Sequence, residues 1–381
     1  MATPGTAPIS VSFDLQNLSG SFDTAGLLTA ILRANPQVSD LIFSPGRHPQ
    51  VEVYGQLVTV QARGLRPLSA DDTRRIASEL IGSNKQAITL LREQGFCDVS
   101  YGLPGLARFR VNVFIQRGSC AVVMRVIPTA IPDFDYLGLP PQLREVANLR
   151  HGIVLVTGGR GSGKSSTLAS LLDCINQRRN CHILTIEDPI EFLHNHKSAT
   201  IHQRELHSDT PSVALAMRAA LRQAPNVLLV GEVRDRETIE LVLEAAEVGP
   251  LVLSSMNTVD AGKTIERIVH AFPASEQAAI RSRFAKTFRY IISQRLVPRK
   301  DNQGRVAAIE ILKSNPSTRE YVEQGDREGR TLLQLLRAGT SEGMQHFDEQ
   351  IETLVRAGLV DQETALTHAT NPQELREALL R

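Results

Sequence analysis

The sequence predicts an α/β protein with two domains, and three observations carry that prediction. From His151 onward, apolar strand patterns at 153–157, 182–186, 227–230 and 251–254 alternate with helical ones. Repeated strand–helix–strand units imply a parallel sheet covered on both faces. Before that region the grammar is different, with strict two-residue alternation and short helices, as in a largely antiparallel sheet. Between the two regions stand Pro128, Pro132, Pro140 and Pro141, and proline interrupts both ladders and helices. A chain of 381 residues is long enough to bury two cores.

Taken in order, residues 1–20 carry Pro, Gly, Ser and Thr and read as a flexible tail. They lack the basic stretch and apolar stretch of a secretory signal. Residues 21–128 form the first domain, with helical spacing near 24–34, 70–81 and 85–93. Alternation appears over 51–60, Phe109, Val111, Val113 and Ile115 share one strand face, and 121–127 is another apolar strand candidate. Leu103-Pro104-Gly105 is a turn. Residues 129–150 read as a linker, and 151–381 as the second domain, ending in helices near 331–338, 347–357 and 372–381. The helix after Asp235 places Ile239, Val242, Leu243 and Ala246 on one face.

Composition narrows the function. Lysine plus arginine is 42 and aspartate plus glutamate 41, a net charge of +1. No global field favours nucleic acid or an anionic membrane. Aromatic residues are 4% and tryptophan is absent, so stacking platforms for single-stranded bases are few. No apolar run is long enough to cross a membrane as a helix. Cys97, Cys120, Cys174 and Cys181 form no C-x-x-C pair, which suits a reduced, cytoplasmic setting.

The chemistry is most legible where Ile153-Val-Leu-Val-Thr157 runs into Gly158, Gly159, Arg160, Gly161, Ser162, Gly163, Lys164, Ser165 and Ser166. A buried strand entering G-x-x-x-x-G-K-S is a P-loop, the cradle of a nucleoside triphosphate. Its glycines let the backbone curl until several N–H groups face phosphate oxygens. Lys164 supplies a compact charge to the β- and γ-phosphates, and the Ser165 hydroxyl is placed to ligate Mg²⁺. Leu168, Leu171, Leu172 and Ile175 follow at helical spacing, so a helix N-terminus adds to the anion site.

Hydrolysis also needs a group that activates water. The strand 227–230 ends in Gly231-Glu232, and a carboxylate at such a tip holds Mg²⁺ through water or acts as the base. A second apolar strand ends in Glu187 and Asp188. Parallel strands end on one edge, so these acids can face the P-loop. His194, His196, His202 and His207 cluster between two strands but show no metal-binding pair at helical spacing, and they read as polar loop residues.

Together these segments resemble the secretion ATPases of type II secretion and type IV pilus systems, and among them the twitching-motility ATPases of the PilT and PilU type. The resemblance also rests on Ala107-Arg-Phe-Arg-Val-Asn112, His182-Ile-Leu-Thr-Ile-Glu-Asp-Pro-Ile-Glu-Phe192, Gln203-Arg-Glu-Leu-His207 and Gly231-Glu-Val-Arg-Asp235. Further on come Lys263-Thr-Ile-Glu-Arg267, Phe272-Pro273 and Ile292-Ser-Gln-Arg-Leu296. It runs in one register from about Thr24 to at least Gly343. It implies an N-terminal PAS-like domain, a C-terminal RecA-like core and a homohexamer that binds ATP with Mg²⁺ between domains at a subunit interface. It makes Glu232 the expected catalytic carboxylate, Glu187 the supporting acid, and Arg110 and Arg125 the arginines brought to the phosphates. It also implies a cytoplasmic motor at the inner-membrane base of a pilus. The partners would be the inner-membrane platform protein and a paralogous retraction ATPase, with no nucleic acid.

The chain departs from that pattern in places. The family segment reads near Gly-His-Leu-Val and then Leu-His-Thr, whereas here it is Gly249-Pro-Leu-Val252 and Met256-Asn-Thr258. Pro250 and Asn257 therefore stand where histidines are usual, which puts γ-phosphate sensing and its coupling to motion in question. Gly159-Arg160 replaces the usual Pro-Thr, Ile42 replaces a frequent histidine, and Thr318-Arg-Glu-Tyr-Val322 matches a retraction motif only loosely. Three readings stay open at this level: a retraction motor, an attenuated or structural ring subunit, and a nucleic-acid translocase sharing the RecA-like core. The missing zinc insert of four cysteines sets the chain apart from extension motors.

Overall fold

The computed structural model describes residues 9–10, 23–53, 56–62, 65–127, 130–301, 304–326 and 331–380. Most of the tail at 1–20, and Pro128 of the proline run, lie outside these described residues. The chain divides into two compact units, one built from residues up to Ala130 and one from nearly all of Ile131–Arg381.

The first unit contains β1 (Ile9–Ser10), α1 (Thr24–Ala34), β2 (Val38–Phe43), β3 (Gln50–Val53), β4 (Gln56–Gln61), α2 (Ala70–Ile81), α3 (Lys85–Gln94), β5 (Phe96–Leu103), β6 (Ala107–Gln116) and β7 (Ser119–Ile127). The three helices begin where the sequence places them because each has a side-chain cap: Asp23, Ser69 and Asn84 accept from the first-turn amides. The sheet runs β1-β4-β3-β2-β7-β6-β5. Its pairs are antiparallel except β1 with β4. The alternation over 51–60 proves to be two strands, β3 and β4, paired as a hairpin. Phe109, Val111 and Val113 are fully buried, whereas Ile115 is 45% exposed. Ile115 keeps the strand period but sits where β6 runs out into the tight turn at Arg117 and Gly118, both at positive φ.

The second unit begins earlier than the proline run led the sequence reading to expect. Residues within 129–150 are not a free linker. Pro141–Asn148 is a 3₁₀ helix with proline at its first position, where a missing N–H costs nothing. Phe134, Leu139, Leu143, Val146 and Ala147 are buried in the unit's core. Prolines here start a helix rather than free the chain.

The strands and helices that follow are β8 (Gly152–Thr157), α4 (Lys164–Arg178), β9 (His182–Glu187), β10 (Thr200–Glu205), α5 (Val213–Ala220), β11 (Val227–Glu232), α6 (Arg236–Val248), β12 (Leu251–Met256), α7 (Ala261–His270), α8 (Ala274–Thr287), β13 (Phe288–Pro298) and β14 (Arg305–Lys313). The sheet order is β10-β9-β11-β12-β8-β13-β14, parallel throughout except β13 with β14. Both faces are covered. Ile153, Leu155, Leu184, Ile186, Leu228 and Val230 pack on one side, and Val154, Val156, Ile183, Val227, Leu229 and Leu253 on the other. That is why these strands read as continuous apolar runs rather than alternating ones.

The edge strand β10 was not legible in the sequence, because Thr200-Ile-His-Gln-Arg-Glu205 buries only Ile201 and Glu205. The chain ends in α9 (Pro316–Gln324), α10 (Leu332–Ala338), α11 (Phe347–Arg356), α12 (Gln362–His368) and α13 (Pro372–Leu379). Phe347, Ile351, Leu354, Ala365 and Leu375 form a small core with Val297 and Ala308 of the last two strands. This fold has an N-terminal domain and a RecA-like core with a helical C-terminal region.

Candidate functional site

The carboxyl ends of β8, β9, β11 and β12 lie on one edge of the second sheet, and the P-loop leaves β8 at that edge. Gly158, Gly161 and Gly163 all take positive φ, at 150°, 74° and 90°. A Cβ on Gly158 would stand 2.4 Å from the Gln294 carbonyl oxygen, so only glycine closes the loop against β13. Gly163 caps α4 without a side-chain acceptor, which leaves the first amides of a 15-residue helix available to an anion. The buried Ser162 hydroxyl has no protein partner. Lys164 Nζ donates to the carbonyls of Gly158 and Gly159 at 2.9 and 2.8 Å, folded back over the loop. A loop with uncapped amides, an unsatisfied hydroxyl and a lysine over its mouth fits a phosphate chain. Ser165 and Ser166 are half-buried in the first turn of α4, and Gly159 and Arg160 are exposed on the loop.

Glu232 ends β11 at a bulge between Val230 and Glu232. One carboxylate oxygen accepts from the Asn257 amide at 2.5 Å, and the other pairs with Arg234 at 3.0 Å. Asn257 directly follows Met256, whose carbonyl accepts from the Gly158 amide at 3.3 Å. The bond from Asn257 therefore links the acid to the strand end that adjoins the P-loop. Glu187 ends β9 alongside, its backbone 3.6 Å from where a Cβ on Gly231 would sit. Its carboxylate accepts from Thr185 Oγ1 at 2.6 Å and Gln203 Nε2 at 3.1 Å. Glu187 and Glu232 thus end parallel strands at the edge where β8 enters the P-loop.

Two supporting residues escaped notice as site residues. Gln294 backs the P-loop: its Oε1 accepts from the buried Thr167 hydroxyl at 2.7 Å. Its side chain also lies 2.7 Å from a Cβ on Gly163. Arg234 orients Glu232, and its spacing two residues along the same extended segment was the available signal.

The two replaced histidine positions separate in space. Asn257 is at the phosphate edge, but Pro250 precedes β12 at the sheet's opposite edge, a full strand length away. Within one chain Pro250 therefore lies away from the P-loop edge that Asn257 shares. A six-residue strand carries the chain about 20 Å between them.

In the first unit, Arg110 and Arg125 are direct cross-strand partners of β6 and β7, so both cations stand on one face. Arg125 Nε bonds Asp40 Oδ1 at 2.8 Å while its side chain stays 72% exposed. Of the histidines, His182 Nε2 and His202 Nδ1 lie 3.0 Å apart on the β9–β10 edge. His194 is half-buried, and burial pushes its pKa down to about 4, so it stays neutral rather than acting as a solvated loop residue. No group of three or more His, Cys, Asp or Glu arranged for a metal occurs among the described residues.

Glu310 of β14 is 3% exposed and accepts from the Ala261 amide at 2.9 Å and Ser293 Oγ at 3.2 Å. It ties the start of α7, just past Asn257, to β13. Its pKa is pushed up from 4.5 to about 7, chiefly by burial and also by nearby Asp260, while the two hydrogen bonds and Arg295 oppose the shift. A raised acid binds its proton more tightly when folded. Its stabilising contribution is complete below about pH 4.5 and is lost as pH rises through about 7. We expect wild type to lose stability relative to Glu310→Gln across that window, at up to about 1.4 kcal/mol per pH unit. Parallel pH curves of urea unfolding for the two proteins would contradict this.

A parallel sheet with a P-loop and two acids at its carboxyl edge defines a P-loop ATPase. The family model described as type II/IV secretion system protein matches residues 103–379. The chain belongs to that family. A twitching motility protein of Neisseria gonorrhoeae is 40% identical over 327 residues, 86% of either chain. The type IV pilus retraction ATPase PilT of Pseudomonas aeruginosa is 40% identical over 340 residues, 89% of this chain and 96% of that one. Among solved structures, a pilus retraction motor PilT with bound ADP is similar at a TM-score of 0.82 and 37% identity, covering 94% of this chain and 100% of the other. The ATPase DotB of Legionella pneumophila follows at 0.77 and 30%, covering 91% and 95%.

Proposed function

We propose that the chain is the ATP-hydrolysing motor subunit of a type IV pilus and works in pilus retraction. The observation that carries this reading is the triad of P-loop, Glu232 and Asn257 on one sheet edge of a chain 40% identical to a pilus retraction ATPase. The P-loop amides and Lys164 hold the phosphates of ATP, and the Ser165 hydroxyl ligates the accompanying Mg²⁺. Glu232, oriented by Asn257 and Arg234, takes a proton from the attacking water. Glu187, held by Thr185 and Gln203, supports the metal and water from the neighbouring strand. Arg110 and Arg125 form a paired cation that stabilises charge on the transferring phosphate once a subunit presents it.

The working unit is a homohexamer at the cytoplasmic face of the inner membrane, pushing on the platform protein alongside a paralogous ATPase. No helix among the described residues is long and apolar enough to cross a membrane. The function is tested by deleting the chain's gene and following pilus length and twitching, with phosphate release measured on the purified protein. Hyperpiliated, non-twitching cells and an active ATPase are expected. Normal retraction in the deletion strain together with an inactive protein would refute it.

A second reading, an attenuated accessory subunit, is favoured by Asn257. A neutral amide hydrogen-bonds a carboxylate more weakly than an imidazolium does. On that reading Asn257→His raises kcat, while Pro250→His, at the far edge of the sheet, leaves it unchanged. Steady-state ATPase kinetics on both variants decides. Equal turnover in wild type and Asn257→His removes the attenuated reading, and a change in Pro250→His contradicts the placement of that residue.

A further inference from the structure

The second unit has a cleft of about 330 Å³ at the edge of the sheet opposite the P-loop. It is lined by the residues that lead into three strands, Arg150 before β8, Asn226 before β11 and Pro250 before β12, and by Arg179 at the end of α4. Val248, 69% exposed at the end of α6, and Pro225 supply apolar walls. None of these residues touches the ATP site described above.

The charge in this cleft is uncompensated. Arg179 is only 8% exposed, and its Nε is buried without a hydrogen-bond partner. Its Nη1 donates to the Leu149 carbonyl at 2.7 Å, an uncharged acceptor. Among the described residues neither Arg179 nor Arg150 forms an ion pair with a carboxylate. Burial pushes the Arg179 pKa down; Cys181 opposes that shift, and Arg150 adds to it. Buried arginines are normally paired, because desolvating a guanidinium is costly unless an anion repays it. Arg150 and Arg179 both line the cleft, and guanidinium donors suit an oxyanion. The apolar walls suit a compact hydrophobic body attached to it, and the volume is that of a small-molecule pocket.

We propose that this cleft is a binding site for a small organic oxyanion, a carboxylate or phosphate monoester whose oxygens pair with Arg150 and Arg179 while its apolar body lies against Val248 and Pro225. The site takes one ligand per chain and is independent of the P-loop.

The test uses the full chain carrying Lys164→Ala, so that phosphate binding at the P-loop is suppressed. Saturation-transfer NMR and thermal shift are recorded with phenyl phosphate, with benzoate and with neutral phenol. Binding of one or both anions, and not of phenol, is expected, and the stronger of the two identifies phosphate or carboxylate as the preferred head. Arg150→Gln, at an exposed position, should weaken anion binding about tenfold, as for loss of a charged hydrogen bond. Val248→Asp, which sets a carboxylate in the same cleft, should weaken it as well. Arg179→Lys keeps a charge but loses the planar fork, so it should weaken binding while the protein stays folded. Anion binding that is unchanged in Arg150→Gln and Val248→Asp would overturn the site. So would the absence of binding by either anion, which would leave Arg179 as a tie between Leu149 and the end of α4.

Discussion

Glu232→Gln is expected to bind ATP normally and to lose turnover by about 10²–10⁴-fold, the usual cost of removing a general base. The variant is close to isosteric. Its amide can still accept from Asn257 and retains the geometry that bond imposes, so folding and nucleotide affinity should be spared. What it cannot do is take a proton. The arrangement around Glu232 makes this a sharp test. Glu187 is the neighbouring acid, but Thr185 and Gln203 both bind one of its oxygens, which suits the supporting role proposed for it. Phosphate release and nucleotide titration are measured side by side. Turnover within a few fold of wild type would remove Glu232 from the catalytic role and move attention to Glu187.

Lys164→Ala has the opposite signature, with affinity lost before turnover is reached. In the structure Nζ is drawn back onto the carbonyls of Gly158 and Gly159, so it lies at the mouth of the loop the phosphates must enter. Losing two or more charged hydrogen bonds to phosphate should weaken ATP binding by about 10²-fold or more. The fold should survive, since Lys164 is the half-buried first residue of α4 and that helix is anchored through Leu168, Leu171, Leu172 and Ile175. Titration with a fluorescent ATP analogue measures the loss, and circular dichroism checks the fold. A shift of less than about threefold would mean that the helix N-terminus and loop amides carry the binding alone. If, as proposed, ATP binds between subunits of a ring, it stabilises assembly, and light scattering of the same variant should show ATP-dependent assembly lost as well.

Much of this site was legible before any coordinates. Local chemistry dictates local structure: a buried strand running into Gly158–Ser165 leaves few conformations open, and acids at the ends of apolar strands fall on one edge once the strands are parallel. The helices of the first unit were legible from their apolar spacing, and the structure adds Asp23, Ser69 and Asn84 as the caps that start them. Where a signal depended on burial it failed. The strand β10 is mostly polar, and the segment 130–150, rich in proline, is folded into the core by Leu143 and Val146.

The sequence by itself determined the class of protein, the phosphate loop, the two acids and the alternation that makes a doubly covered parallel sheet. Only the tertiary structure decided which residues share an end of that sheet. Asn257 and Pro250 lie seven positions apart, yet one meets Glu232 and the other meets Arg150 and Arg179 at the far edge. Gln294 lies far along the chain from the P-loop but braces it, because β13 pairs with β8. Glu310 becomes a buried acid only because β14 closes on β13 beneath α7. Strand direction and register set these meetings, and they arise from packing the whole sheet rather than from the spacing of residues along the chain.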